Sequence, residues 1–365
     1  MSNRLSSVLV KLVVLSVFVV PGPGGCSSGG SGGPSIGGTT GNSGTADTAG
    51  SSSGTQFWRS VASSADGTKL VAVTDEWVTT GGYIYTSSDS GATWTQTGTQ
   101  QYWTSVASSA DGTKLVAVSS DNVTQDGSSV GGYIYTSADS GATWTQTGTA
   151  QFWRSVASSS DGTMLVAVAS GGYIYTSSDS GTTWTQTGTP QEWRSVVSSA
   201  DGTKLAAVAG GESYAGYVYT SSDSGATWTQ TGLWQEWNSV ASSADGTMLV
   251  AVTYCDDGYI YTSSDSGTTW TQTKSLQDCW YSLASSADGT KLVAVVNSGY
   301  VYTSVDSGTT WTQRGTQQNW GSVASSADGT MLVAIAFGQV SPDGSLVGSG
   351  IYTSDDSGTT WTDRQ

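Results

Sequence analysis

The chain has 365 residues, of which 49 are glycine, and charged residues make up only 11% of it. Its net charge of −16 argues against binding a nucleic-acid backbone, which needs Lys and Arg, and it contains no histidine, the commonest general base and metal ligand. We therefore expect no nucleic-acid partner, no cofactor and no metal. The 16 Trp and 17 Tyr residues, without any long helical periodicity, predict an all-β protein with one folded domain.

The N-terminus predicts export. Residues 1–25 carry Arg4 and Lys11 and an apolar run at 12–20 that is too short to span a bilayer comfortably. The stretch resembles a bacterial lipoprotein signal, which implies lipidation of Cys26, although Pro23 stands where such signals usually have Leu. The alternative is ordinary secretion with an incidental Cys26. We expect an extracytoplasmic protein, at the cell surface or secreted, that meets the membrane only through an N-terminal lipid anchor.

Residues 26–54 are almost entirely Gly, Ser and Thr, and they hold too little apolar surface to fold. They predict a flexible linker. From residue 55 to 365 the chain consists of repeats, each beginning with a leading Trp. A unit runs through strand A, an Asp-Gly turn, an apolar strand B, a variable loop, strand C, a second turn and strand D. The leading Trp residues are Trp58, Trp103, Trp153, Trp193, Trp237, Trp280 and Trp320.

The second turn has the form S-x-D-x-G-x-T-W in every unit, at intervals of 40 to 50 residues. A period of this length in β-rich units is typical of propeller blades. Seven copies predict a seven-bladed β-propeller of four-stranded antiparallel blades, with this motif in each C–D turn. Its aspartates are Asp89, Asp139, Asp179, Asp223, Asp265, Asp306 and Asp356.

The motif resembles the Asp-box, or BNR repeat, of sialidases, of the sortilin ectodomain and of a photosystem II assembly factor. The resemblance implies that the seven aspartates are structural and lie on the blade rim, away from any active site. A metal site is the alternative, but one carboxylate per turn offers too few hard ligands for Ca²⁺.

Differences between the units predict the functional face. The A–B and C–D turns are constant, whereas the B–C and D–A connections vary, and both of these lie on the opposite face. Aromatic rings and Arg on this variable face suit a sugar or peptide ligand; the alternative is packing between blades, with Arg paired to nearby acids. The candidate ligand-binding residues are Phe57, Arg59, Trp77, Tyr102, Phe152, Arg154, Arg194, Tyr214 and Trp234.

The sialidase resemblance does not extend to catalysis. It would imply an arginine triad, a Tyr–Glu nucleophile pair and an acidic Asp, but no Arg-Ile-Pro segment is present, and three of the five Arg residues outside the signal share one repeat position. A two-carboxylate glycosidase stays open, although no spacing singles out a pair. The acids outside the repeat pattern are Glu192, Glu212, Glu236, Asp256, Asp257 and Asp278.

We therefore predict no catalytic residues and a monomeric protein that binds a glycan or a protein partner. One alternative function is a glycoside hydrolase of sialidase-like or xyloglucanase-like type. Another is an assembly factor that binds a specific protein partner.

Two cysteines remain after Cys26, and an even number suits a disulfide in an exported protein. Cys255 lies in the B–C loop of the fifth unit and Cys279 in the connection that follows the same unit, so both are on the variable face. A bridge would close a loop of 23 residues between them, worth about 3 kcal/mol in the chain-entropy model. The alternative is two unpaired thiols.

Overall fold

The computed structural model describes residues 56–75, 81–120, 130–211, 214–254, 258–273, 278–340, 346–347 and 349–364. All of them belong to a compact unit that extends from 49 to 365. We number the repeat units 1 to 7 in chain order, each beginning at its leading Trp.

Repeat units 1, 2, 5 and 6 each form four consecutive antiparallel strands, A to D. Their bounds are β1 (Trp58–Ser63), β2 (Leu70–Thr74), β3 (Gly82–Ser87) and β4 (Thr95–Gln101); β5 (Trp103–Ser108), β6 (Leu115–Ser119), β7 (Gly132–Ser137) and β8 (Thr145–Gln151); β15 (Trp237–Ser242), β16 (Leu249–Thr253), β17 (Ile260–Ser263) and β18 (Thr271–Gln272); β19 (Trp280–Ser285), β20 (Leu292–Val296), β21 (Gly299–Ser304) and β22 (Thr312–Gln318).

The remaining units depart from this order. Units 3 and 4 contain β9 (Trp153–Ser158), β10 (Leu165–Ser177), β11 (Thr185–Ser198), β12 (Leu205–Ala209), β13 (Gly216–Ser221) and β14 (Thr229–Gln235). Unit 7 contains β23 (Trp320–Ser325), β24 (Leu332–Ala336), the short pair β25 (Gln339–Val340) and β26 (Leu346–Val347), then β27 (Gly350–Ser354) and β28 (Thr362–Asp363).

The prediction of seven four-stranded blades is wrong, because the described strands assemble into six blade sheets. Five sheets have four strands, and the sixth has six strands and carries both unit 3 and unit 4. In unit 3 the B–C connection is so short that β10 runs through both strands, and Ser170 and Gly172 pair with Glu192 and Gln191 of β11. Hydrogen bonding therefore continues along the D–A connection, and the two units share one sheet.

The first four residues of every B strand are apolar because neighbouring units cover both faces of the strand. In β2, Leu70 and Ala72 pack towards the last unit, whereas Val71 and Val73 pack against Trp103 of the second. All of these side chains are buried. A continuous apolar run is typical of a strand that is covered on both faces.

The ring of units closes between the first and the last. Backbone N–H groups donate from unit to unit around the axis, beginning with Ala65 to the carbonyl of Ala110 at 2.8 Å and ending with Ala327 to the carbonyl of Ala65 at 2.7 Å. Trp58 packs with Val333, Ile335 and Ile351 of the last unit. Packing and the hydrogen bonds around the axis therefore close the ring, and the predicted all-β propeller fold is confirmed with a corrected number of blades.

The two constant turns of each unit lie together on one face. The Ser90 N–H in the C–D turn donates to the Thr68 carbonyl in the A–B turn at 2.9 Å. Within the C–D turn the Asp89 carboxylate accepts the Thr93 N–H at 2.8 Å and the Thr93 hydroxyl at 2.6 Å. Ser90 and Gly91 both have positive φ, 57° and 83°, so the carboxylate stabilises a backbone that a non-glycine residue rarely adopts.

None of the described residues belongs to a helix that is long and apolar enough to cross a membrane.

Candidate functional site

Three side chains of each unit come together on the variable face: the residue before the leading Trp, the residue after it, and the residue that follows or ends strand B. A backbone hydrogen bond fixes this arrangement. The N–H of Asp75 donates to the carbonyl of Phe57 at 2.8 Å, and the matching bond joins Ser170 to Phe152 at 2.9 Å. The units differ at all three positions, so the scaffold is constant while its side chains vary.

A cavity of about 690 Å³ opens on this face over units 1 to 4. It takes in six of the nine candidate ligand-binding residues, so residues from four different units do converge. Those six are Arg59, Tyr102, Phe152, Arg154, Arg194 and Tyr214. Tyr214 is 61% exposed and Phe152 is 46% exposed, which leaves both rings accessible to a ligand.

The other three candidates do not line this cavity. Phe57 borders a smaller cavity of about 140 Å³ next to it. Trp234 lies on β14 with 59% of its side chain exposed, and its ring meets Tyr217 edge-on, with the ring centroids 4.9 Å apart. Trp77 lies outside the described residues. The structure therefore separates Trp234 from the arginine and aromatic residues with which the sequence grouped it.

Three arginines at equivalent repeat positions outnumber the two carboxylates that line the large cavity, Asp75 and Glu192, and give it a net positive charge. The pKa of Arg154 falls to about 10, chiefly because burial disfavours the charged form and then because Arg59 and Arg194 carry like charges. Arg194 donates its Nε–H to the Gly210 carbonyl at 2.9 Å. Arg154 makes no hydrogen bond or ion pair within the described part of the chain, so its donors face the cavity unpaired.

The large cavity lies over units 1 to 4 only, because units 5 to 7 carry other residues at the position after the leading Trp. The Asn238 amide donates to the backbone carbonyls of Trp280 and Tyr281 at 3.1 and 3.0 Å. Tyr281 meets the ring of Phe337 edge-on at 5.3 Å. Unit 7 has Gly321 there, and the Phe337 ring occupies the space that a side chain would need. The far side of the axis is therefore closed by neutral groups.

Sequence reasoning missed several lining residues, among them Asp75, Ser120, Ser170 and Phe337. All four stand at the end of strand B. The available signal was variation at that position, where the units carry Asp, Ser, Gly, Tyr, Asn or Phe after an otherwise constant strand. The larger variation of the longer B–C loops masked this signal.

Of the six acids that the sequence singled out, the structure describes Glu192, Glu236 and Asp278, and these three do not share a cavity. Glu192 lines the large cavity and accepts a hydrogen bond from the Ser170 hydroxyl at 2.9 Å. The Asp278 carboxylate accepts the N–H of Cys279 at 2.9 Å. Glu236 does not line the cavity, and Glu212, Asp256 and Asp257 lie outside the described residues. Among the described residues no group of three His, Cys, Asp or Glu side chains is arranged to hold a metal.

Cys279 is disulfide-bonded, whereas Cys255 lies outside the described residues, so the pairing of these two stays a prediction. Thiol titration of the unfolded, unreduced mature protein should find neither cysteine free. Peptide mapping should then recover the peptides of Cys255 and Cys279 joined. Two reactive thiols at these positions would refute the bridge.

Comparison with known proteins identifies the fold. No protein-family model matches the chain, and no curated protein matches it in sequence. A GH74 xyloglucanase from Xanthomonas campestris has a similar structure, with a TM-score of 0.65 and 14% identity over 86% of this chain and 55% of that one. The fold is a β-propeller.

Two further similar structures cover more of their own length. YCF48 from Cyanidioschyzon merolae has a TM-score of 0.58 and 13% identity over 78% of this chain and 94% of that one. YCF48 bound to a D1 peptide has a TM-score of 0.57 and 16% identity over 78% and 92%. The chain thus spans about half the length of the Xanthomonas xyloglucanase and most of YCF48. At identities this low, the similarity shows a shared fold and nothing about function.

Proposed function

We propose that this protein is exported, held at the cell surface, and binds a glycan or protein partner through its variable face without catalysing a reaction. One observation supports this above all: residues of four units, six of them candidates from the sequence, line a single cavity of about 690 Å³. A rigid ring that presents varied side chains around one cavity suits recognition.

The charge of the cavity favours an acidic ligand. Arg154 has no hydrogen-bond partner among the described residues and lies close to the like charges of Arg59 and Arg194. A planar guanidinium binds a carboxylate through two parallel hydrogen bonds. A bound anion would also relieve the repulsion among the three cations. A partner that carries carboxylates, whether an acidic glycan or an acidic protein segment, therefore fits the site best.

Arg154→Gln should weaken the binding of glucuronate and of N-acetylglycine by about tenfold or more, because a hydrogen bond to a charged group contributes roughly 1.5–3 kcal/mol. Glucose and N-acetylglycinamide, which lack the carboxylate, should bind weakly to both proteins. Isothermal titration or NMR titration measures the affinities.

Arg314→Gln is the matched control, because Arg314 is bonded to the Thr303 hydroxyl at 3.2 Å on the outer strand of unit 6 and does not line the cavity. It should leave carboxylate binding unchanged. Equal affinities of the wild-type protein for charged and neutral probes would contradict an anionic ligand.

A glycoside hydrolase is the second candidate. Two carboxylates, Asp75 and Glu192, line the same cavity, and one structural neighbour is a xyloglucanase. Incubation with xyloglucan and a panel of glycosides decides between the two. Release of sugars that Asp75→Asn or Glu192→Gln abolishes would replace the binding function with hydrolysis.

A role as an assembly factor is a special case of protein binding, and the likeness to YCF48, one structure of which holds a D1 peptide, supports it. It predicts that one partner protein is retained by the wild type and lost with Arg154→Gln.

Export and anchoring rest on residues 1–55, which lie outside the described residues. Mass spectrometry of the mature N-terminus tests lipidation at Cys26, and light scattering tests the monomer.

A further inference from the structure

A second, smaller cavity adjoins the arginine-lined one where the last unit meets the first. It has a volume of about 140 Å³ and is lined by Phe57, Trp58, Arg59, Asp75, Phe337 and Gly338. Three of the six are aromatic. A water takes up about 30 Å³ in the liquid, so the cavity has room for one side chain.

The aromatic wall of this small cavity is fixed in place. A Cβ on Gly321 would lie 2.2 Å from two atoms of the Phe337 ring, so glycine at this position is what lets the ring lie there. Tyr281 meets the ring edge-on at 5.3 Å, and the Arg59 guanidinium lies 5.7 Å from its centroid. The cavity is therefore organised before any ligand arrives.

The two cavities adjoin each other. Arg59 and Asp75 line both, so a ligand held by the arginines can place a neighbouring group between Phe57 and Phe337. Such a ligand needs a negative charge for the large cavity and an apolar group for the small one. Sugars carry a hydroxyl on nearly every carbon, and each hydroxyl buried in the small cavity would need Arg59 or Asp75 as its hydrogen-bond partner. A hydrocarbon side chain needs no such partner against the three aromatic residues.

We propose that the small cavity is an apolar subsite for a leucine-like side chain, and that the partner is a protein segment with a carboxylate beside that side chain. The proposal rests on the function proposed above and narrows its ligand from glycan or protein to protein. The arginines supply attraction for the carboxylate, and the small cavity supplies selectivity for the side chain.

The test compares N-acetylleucine with N-acetylglycine, which differ only in the side chain, and adds glucuronate as the sugar probe. The wild-type protein should bind N-acetylleucine about tenfold more tightly than N-acetylglycine, because burial of the isobutyl group removes apolar surface from water. Glucuronate should bind no better than N-acetylglycine. NMR titration measures all three affinities.

Phe57→Ala should abolish the preference for N-acetylleucine and leave the affinity for N-acetylglycine unchanged. Phe152→Ala is the matched control, since Phe152 occupies the equivalent repeat position but lines only the large cavity, and it should retain the preference. Arg154→Gln should weaken both probes by the same factor. Phe337→Leu changes the opposite wall of the small cavity and should likewise reduce the preference for N-acetylleucine. Melting temperatures establish that each variant is folded.

Equal binding of the two amino-acid probes, or a preference that survives Phe57→Ala, would overturn the apolar subsite while leaving the anion-binding function intact. Tighter binding of glucuronate than of either would point to an acidic glycan and overturn the protein partner. If no carboxylate binds, the proposed function itself fails, and the subsite with it.

Discussion

Trp237→Ala should lower the free energy of unfolding by about 3–5 kcal/mol. Trp237 is fully buried, and its ring meets Tyr261 edge-on at 5.0 Å and lies 6.0 Å from Trp270. It packs against Ala206, Val208 and Val218 of the preceding unit. The loss therefore falls on the junction between two units, and each unit is stabilised mainly by such junctions. Urea denaturation measures the change.

Trp234→Ala provides the matched control, three residues earlier in the chain. Because 59% of the Trp234 side chain is exposed, its removal should change the free energy of unfolding by only about 0.5 kcal/mol. If Trp234 also contacts a ligand, binding should weaken while the melting temperature stays the same. Comparable losses of stability in the two variants would mean that Trp234 is a packing residue.

The protein should lose stability steeply as the pH falls from about 4 to about 2. The pKa of Asp89 is lowered to about 2 because the Thr93 hydroxyl, the Thr93 N–H and the Ser87 hydroxyl donate to the carboxylate. In the other constant turn the pKa of Asp111 is also lowered to about 2, chiefly by the Ser109 hydroxyl. The pKa is lowered in all fourteen turn aspartates, and it is about 2 in nine of them.

The direction of this pH dependence follows from the linkage between proton binding and folding. An unfolded Asp has a pKa of about 3.9, so a carboxyl whose pKa is lower in the folded state contributes stability that is fully present above this value. That contribution is lost as the pH falls through the folded pKa, when the folded state also takes up the proton. The pKa shifts of all fourteen turn aspartates have the same direction, so their small individual effects add up.

The urea concentration at the midpoint of unfolding, measured at pH 7, 5, 4, 3 and 2, should stay constant down to about pH 5 and decrease below it. Asp89→Asn should be less stable than the wild type at pH 7, and the difference should shrink towards pH 2, where the wild-type carboxyl is itself becoming protonated. A rise in stability on acidification would mean that repulsion among the carboxylates outweighs their hydrogen bonds.

Much of the architecture could be predicted from the repeats. The continuous apolar run of strand B indicated a strand with both faces covered by neighbouring units. The number of blades was wrong for a local reason: at Ser170 and Glu192 two connections pair with each other. Each connection looks like an ordinary loop in the sequence, and only their proximity merges two units into one sheet.

The site was predicted in part. Arg59, Arg154 and Arg194 were recognisable because they break a repeated pattern at one position, and the repeat order put them on neighbouring units. That Arg154 lacks a partner among the described residues could not be read from the chain, because pairing depends on side chains that are distant in sequence. Phe337 was overlooked because nothing local indicates that it fills the space left by Gly321.

The sequence by itself thus determined the local structure: strands, constant turns, and which residues face a neighbouring unit. These follow from hydrogen bonds and packing within some 40 to 50 residues, repeated along the chain. The tertiary structure alone decided how the units join into sheets and which variable side chains share a cavity. Those outcomes depend on contacts between residues that are far apart in the sequence, such as Arg59 and Phe337, and no local pattern encodes them.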